Sequence, residues 1–237
     1  NKINTNIISM SIICLMLFMT ISVLSSSLSI KSALDTQLEE FTPVDVNLYK
    51  TAYLPESYVS TYSGKTIYNT KEQWEDSRKP ISYTLETNGY DKNNLKDIVE
   101  ISIYAIPEWT LKNSLNDYYE VAKNQFSMLS YSTPESIIKI SDYNKIASLY
   151  GQEQYDLQDD EYIVLCDFEQ MSNLRNEALK RNSDMVINGK IYHAKYNECK
   201  NGFVFMSSSN MNAGIILVPD NFEIKDEYTE QYFLAAN

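Results

Sequence analysis

Residues 136–151 read SIIKISDYNKIASLYG, and the order of residue types in this stretch decides the fold class. Ile137, Ile138 and Ile140 suit the end of a strand. Ser141 is a good helix N-cap, with Asp142 in the first turn, where a negative charge favours the exposed amide groups. Ile146 and Leu149 fall on one helical face, and Gly151 stops the helix. A strand therefore runs into a helix expected over Asp142 to Tyr150.

The same alternation of elements extends to both sides. Downstream, DEYIVLCDF (160–168) reads as a strand and MSNLRNEALKR (171–181) as a helix. DMVINGKIYHA (184–194) holds Asn188-Gly189, the strongest short hairpin signal. GFVFMSS (202–208) and AGIILVPD (213–220) read as strands, the last closed by Pro219. Upstream, VEISIYAI (99–106) is the clearest strand, and LNDYYEVAKNQFSML (115–129) is helical in pattern. DKNNLKDI (91–98) looks like a short helix, and the alternation of PISYTLET (80–87) reads as a strand. Residues 44–80 are rich in Tyr, Ser and Thr with weak periodicity, as in short strands and loops. Strands and helices alternate irregularly, so the expected class is a mixed α+β domain.

The N-terminus is of another kind. From Ile7 to Leu24 runs a stretch of eighteen residues without charge, Pro or Gly, and the uncharged run continues to Ile30. As a helix, the 24 residues from 7 to 30 cover about 36 Å, enough for a hydrocarbon core of about 30 Å. Three readings stand: a membrane span, a signal peptide whose small-residue site is mimicked by Ser25 to Ser29, and a core helix. The length of the run favours the span. Ser11, Ser22, Ser25 and Ser29 fall on one stripe, which would let another helix approach closely. Beyond Lys31, Leu34, Leu38 and Phe41 keep helical spacing as an amphipathic stalk, ended by Pro43. The expected organisation is a transmembrane helix and stalk over residues 1–42, then an extracellular α+β domain over 43–237. Lys2 and Lys31 flank the span one against one, so basic residues do not fix its orientation. The size of the following domain and its lack of a cytosolic motif favour the outside. The chain opens on Asn1 and stops within the apolar stretch QYFLAAN, so it is read as an excerpt of a longer one.

Net charge is −12, and residues 35–237 hold 18 basic and 32 acidic residues, a net −14. Such a field repels nucleic acid and anionic headgroups and attracts cations, cationic peptides included; it also serves solubility. Chemical motifs are scarce. SGKT at Ser63 to Thr66 resembles the end of a phosphate-binding loop, but Val59 stands where the loop needs Gly. His193 is the only histidine, which makes a His-based metal cluster impossible and leaves Glu198 and Cys199 as weak company. No nucleophile elbow accompanies it. Asp159 and Asp160 read as a solvated turn. Cys14 lies in the span. Cys166 and Cys199 are either a disulfide outside the cell or a buried thiol beside an incidental one. No catalytic, cofactor-binding or metal-binding residue is assigned.

Three stretches carry a family resemblance. They are TNIISMSIICLMLFMTISVLSSSLSIKSALDTQLEEFTPVDV, SDYNKIASLYGQEQYDLQDDEYIVLCDF, and the VINGKIY hairpin with IILVPD. In these the chain resembles FtsX-like permeases of ABC transporters, closest to the bacitracin-export type of low-GC Gram-positive bacteria. The likeness covers roughly the first 45 residues and most of 137–220; residues 44–130 match only in general character. It implies a non-catalytic permease subunit in the cell membrane, working with a separate cytoplasmic ABC ATPase and with further transmembrane helices of the same permease. It implies an exterior domain that senses or exports antimicrobial peptides or other envelope ligands, cationic or lipid-linked, with a sensor histidine kinase as a further partner. No family catalytic residue carries over. The alternative is a membrane-anchored receptor or scaffold domain without transport.

Overall fold

The structure, a computed structural model, describes residues 2–41, 44–52, 59–62, 65–68, 70–202 and 214–237. It divides into two units, residues 1–43 and 44–237.

The first unit is one helix, α1 (Lys2–Phe41), of 40 residues. Ile12–Ser32, 21 residues of mean hydropathy 2.1, is long and apolar enough to cross a membrane. By length and composition it suits an anchor or a signal sequence. Its large apolar side chains, among them Leu15, Phe18 and Leu28, are all exposed within the unit. Thr20 turns its hydroxyl back to the Met16 carbonyl at 2.8 Å, so that donor does not need water.

The second unit is α+β. Among the described residues its main sheet has eight strands, in the order β1-β10-β4-β5-β9-β6-β8-β7. These are β1 (Val46–Thr51), β4 (Val99–Thr110), β5 (Pro134–Lys139), β6 (Glu161–Leu165), β7 (Asp184–Ile187), β8 (Lys190–Ala194), β9 (Ile215–Val218) and β10 (Thr229–Ala236). A separate hairpin pairs β2 (Val59–Tyr62) with β3 (Lys65–Tyr68). The helices are α2 (Lys71–Ser77), α3 (Ile81–Thr87), α4 (Leu111–Leu115), α5 (Tyr119–Gln125), α6 (Ile140–Leu149) and α7 (Glu169–Arg181).

Both faces of the central strands are covered, which explains their unbroken apolar runs. Ile138, Ile163, Leu165 and Leu217 enter the cluster that holds Tyr143 and Ile146 of α6. Their neighbours Ile137, Tyr162, Val164, Ile216 and Val218 enter the cluster that holds Trp109 and, from α7, Leu179. Side chains alternate across a strand, so a strand buried on both faces must be apolar at every position. Each fully buried Ile or Leu contributes about 1.5–3 kcal/mol. Gly214, at φ +95°, leads into β9, and a Cβ there would stand 2.5 Å from the Leu165 carbonyl oxygen, so this close approach requires glycine.

Several expectations are met. The strands at 99–106, 160–168 and 213–220, the helix at 171–181 and the hairpin at 184–194 are all present. Others are corrected. PISYTLET is helix α3 and not a strand: Ile81 is buried and Leu85 half-buried, one helical turn apart. The helix starts where the Glu100 carboxylate accepts from the Ile81 and Ser82 amides, a cap supplied by β4 that the local sequence does not carry. DKNNLKDI forms only a 3-10 turn at Lys92–Asn94, capped by Asp91. The expected helix over 115–129 is broken into the end of α4, a 3-10 turn and α5, because Asn116 sits at φ +43°. Residues 44–80 include a helix, α2, started by a Thr70–Gln73 capping box.

Ser141 is not an N-cap. The helix begins one residue earlier, at Ile140, and Lys139 holds the cap position without a side-chain bond. The Ser141 amide instead donates to Asp220 Oδ1 at 3.2 Å, from the turn after β9. Strand β10 is the largest element that pattern reading did not identify. It lies between β1 and β4 and sends Phe233 and Ala235 to one core cluster and Tyr232 and Leu234 to another. The strand expected at 202–208 falls almost wholly outside the described residues, as does Pro43.

Candidate functional site

The residues singled out by sequence do not converge. His193 pairs with Asp184 on the exposed hairpin, Nδ1 to Oδ1 at 2.7 Å, and this hydrogen bond raises the imidazole above its ordinary value. Asp159 and Asp160 use main-chain oxygens: Lys190 Nζ donates to Asp159 O at 2.8 Å and the His193 amide to Asp160 O at 2.7 Å. Glu198 pairs with Lys200 Nζ at 2.9 Å. Ser63 and Gly64 lie outside the described residues; Val59, Lys65 and Thr66 lie in the β2–β3 hairpin. Ser22, Ser25 and Ser29 lie on α1, and the side chain of Ser11 is outside the described set. Among the described residues no three His, Cys, Asp or Glu side chains gather as a metal-ligand set.

Cys166 and Cys199 are free thiols, not a disulfide. Burial pushes Cys199 up to about 12, and raises Cys166 as well. Both thiols stay protonated at neutral pH and are poor nucleophiles. Beside them lies a buried ion pair that links α7 to β5. Arg175 Nη1 and Nη2 donate to Glu135 Oε1 and Oε2 at 3.0 and 2.7 Å, and both side chains are 2% exposed. Burial works against the guanidinium charge, but the Glu135 carboxylate outweighs it and holds Arg175 well above its ordinary value. Arg175 Nε has no hydrogen-bond partner among the described residues.

A groove forms elsewhere, at the free edge of the sheet. Thr110 and Asn113 close a capping box that starts α4, with the Thr110 amide 3.1 Å from Asn113 Oδ1. Asn116 ends the helix at φ +43° and ψ −123°, a positive-φ backbone that favours glycine. From there its Nδ2 donates to the Asp184 carbonyl at 3.2 Å, which brings α4 alongside β7.

Among the described residues strand β7 is held on one side only, by β8, through the turn at Asn188 (φ +51°) and Gly189 (φ +75°). These two positive φ values are those of a type I′ turn, which matches the strand twist. The ladder register pairs Ile187 with Lys190 and Met185 with Tyr192. The Ala194 amide donates to Ser183 O at 3.0 Å, while the His193 amide points the other way, to Asp160. Odd-numbered residues of β7 therefore bond to β8, and Asp184 and Val186 turn their main-chain groups outward. The Asp184 amide donates to Asn182 Oδ1 at 3.0 Å and its carbonyl accepts from Asn116. The Val186 amide and carbonyl find no partner among the described residues.

The groove, about 360 Å³, lies between Lys112, Asn113, Asn116 and Tyr119 on one side and Asp184 to Val186 on the other. That is near the lower end of ligand-sized cavities. The Tyr119 ring is fixed edge-to-face against Tyr131 at 5.4 Å and has Lys112 Nζ 5.0 Å from its centroid. The arrangement offers a main-chain donor and acceptor, one aromatic wall and an exposed carboxylate, and no nucleophile.

No protein-family model, curated protein or solved structure matches the chain. The hairpin that builds the groove was legible in Asn188-Gly189. The groove itself was not, because its far wall comes from residues some 70 positions earlier.

Proposed function

We propose that the chain is the anchored recognition part of an FtsX-like ABC permease, with residues beyond α1 outside the cell. One observation carries this: a helix of membrane-spanning length and apolarity precedes, in the same chain, a self-contained α+β unit whose residues belong to a stretch of net charge −14. The likeness of the first 45 residues and of 137–220 to that family supports it. On this reading a separate cytoplasmic ATPase supplies the energy, further transmembrane helices complete the permease, and a sensor kinase is a signalling partner. The ligand is a cationic or amphiphilic envelope molecule, foremost a peptide antibiotic.

The acidic field acts mainly on encounter, so association is the informative measurement. The full chain, held in nanodiscs of uncharged lipid, is exposed to a cationic peptide antibiotic and to an uncharged peptide at low and high salt. The association rate of the cationic peptide is expected to fall as salt rises, and that of the uncharged one to stay level. Equal, salt-independent binding of both, or binding of neither, would overturn the ligand assignment. A parent reading frame with a single span and no neighbouring ATPase gene would favour a receptor or scaffold domain instead.

A further inference from the structure

We propose that the outer edge of β7 is a strand-addition site for an extended peptide bearing a basic side chain. This rests on the recognition role above and gives it a location. The first argument is the chemistry of Val186. Its amide and carbonyl point away from β8 and have no partner among the described residues, a donor and an acceptor on one residue at the spacing of a strand edge. Their natural complement is another main chain, as in recognition by strand addition.

The second argument is the face beside that edge. Val186 and Ile191 are cross-strand partners on the side away from the core, 66% and 50% exposed. A strand added alongside Val186 sets alternate side chains against this apolar pair. The third is charge. Asp184 is a residue of the same groove; its carboxylate engages His193 through Oδ1 and has no partner at Oδ2 among the described residues, whereas Lys112 stands on the far wall near the Tyr119 ring. A basic side chain is therefore expected on the β7 side, towards Asp184.

The edge is too short for a second copy of the chain. Asn182 and Asn116 already occupy the main-chain groups of Asp184, a common protection of sheet edges, and the turn at Asn188 closes the other end. One free residue supplies two hydrogen bonds, far from the roughly 1,200 Å² that a stable interface buries. A gap of 360 Å³ walled by α4 admits one short strand and not a second sheet.

The test uses the full chain in nanodiscs and the hexapeptide Lys-Thr-Val-Thr-Lys-Thr as probe, whose Lys and Val side chains share one strand face, as those of Asp184 and Val186 do. Two variants of the peptide carry N-methyl groups on either its odd or its even residues. Only one set faces the β7 edge, so one variant is expected to bind about fivefold more weakly, the order of the one hydrogen bond lost to the Val186 carbonyl, and the other like the parent. Val186→Pro deletes the outward amide without touching the ladder, and is expected to lose the same factor. If that variant does not fold, the two methylated peptides decide on the wild-type chain. Parent-like binding of both methylated peptides overturns the site while leaving peptide recognition standing. No binding of the parent peptide at either salt overturns both. Self-association of the chain that the peptide displaces would make a second copy the occupant and overturn the proposal.

Discussion

Removing one half of the Arg175–Glu135 pair should be far more damaging than removing both. The two hydrogen bonds, at 3.0 and 2.7 Å, are made between side chains that are each 2% exposed, so no water stands ready to replace a lost partner. Glu135→Gln leaves a buried guanidinium without a counter-charge, and Arg175 Nε already lacks a partner among the described residues. Arg175→Met leaves the carboxylate in the same position. Each single change is expected to cost about 3–5 kcal/mol, against a total stability of about 5–15 kcal/mol for a domain. The double variant Glu135→Leu/Arg175→Met replaces the pair with apolar groups of similar volume and should come within about 1 kcal/mol of the parent. Urea unfolding of the full chain in micelles reads this out through Trp109, which is fully buried with its ring edge-to-face against Tyr162 at 5.4 Å. Singles that lose under about 1 kcal/mol, or a double as unstable as the sum of the two, would refute the reasoning.

Two further outcomes follow from geometry. Asp220→Ala removes the acceptor of the Ser141 amide and should cost about 1 kcal/mol, whereas Ser141→Ala should be near neutral; the reverse order in the same unfolding assay would restore Ser141 as the cap. Alkaline pH should destabilise the unit, because burial raises Cys199 from 9.0 to about 12 and raises Cys166 as well. The folded state then binds more protons than the unfolded one, so stability present below about pH 9 is lost as pH rises towards 12. An unfolding midpoint that stays flat between pH 8 and 11 would contradict the burial of these groups.

Elements whose signal is local were legible. The strand–helix unit at 136–151 and the Asn188-Gly189 hairpin announce themselves by periodicity and turn chemistry. Failures came where a distant residue does the work. Glu100 caps α3 and makes a helix of an alternating segment; Asp220 caps α6 and displaces Ser141. β10 was passed over because TEQYFLAA ends in a plain apolar run, and such a run becomes a strand only when β1 and β4 are there to pair with it. The groove needs both a sheet order that leaves β7 at the edge and a helix terminus from another part of the chain. The buried pair joins residues 40 positions apart, and nothing near Glu135 in the sequence marks it as other than a solvated carboxylate.

The pairing of β1 with β10 has a mechanical consequence. Val46 and Ala236 are register partners, so the first strand of the α+β unit begins beside the point where its last strand finishes. A unit whose entry and exit lie side by side can sit within a longer chain as an insert, with its sheet undisturbed by the host. It also behaves like a zipper. Tension between those two ends acts on one pair of β1–β10 hydrogen bonds at a time, from Val46 towards Thr51, instead of shearing the whole ladder at once. A pull of this kind would strip β1 first, while β10 remained bonded to β4 on its other side.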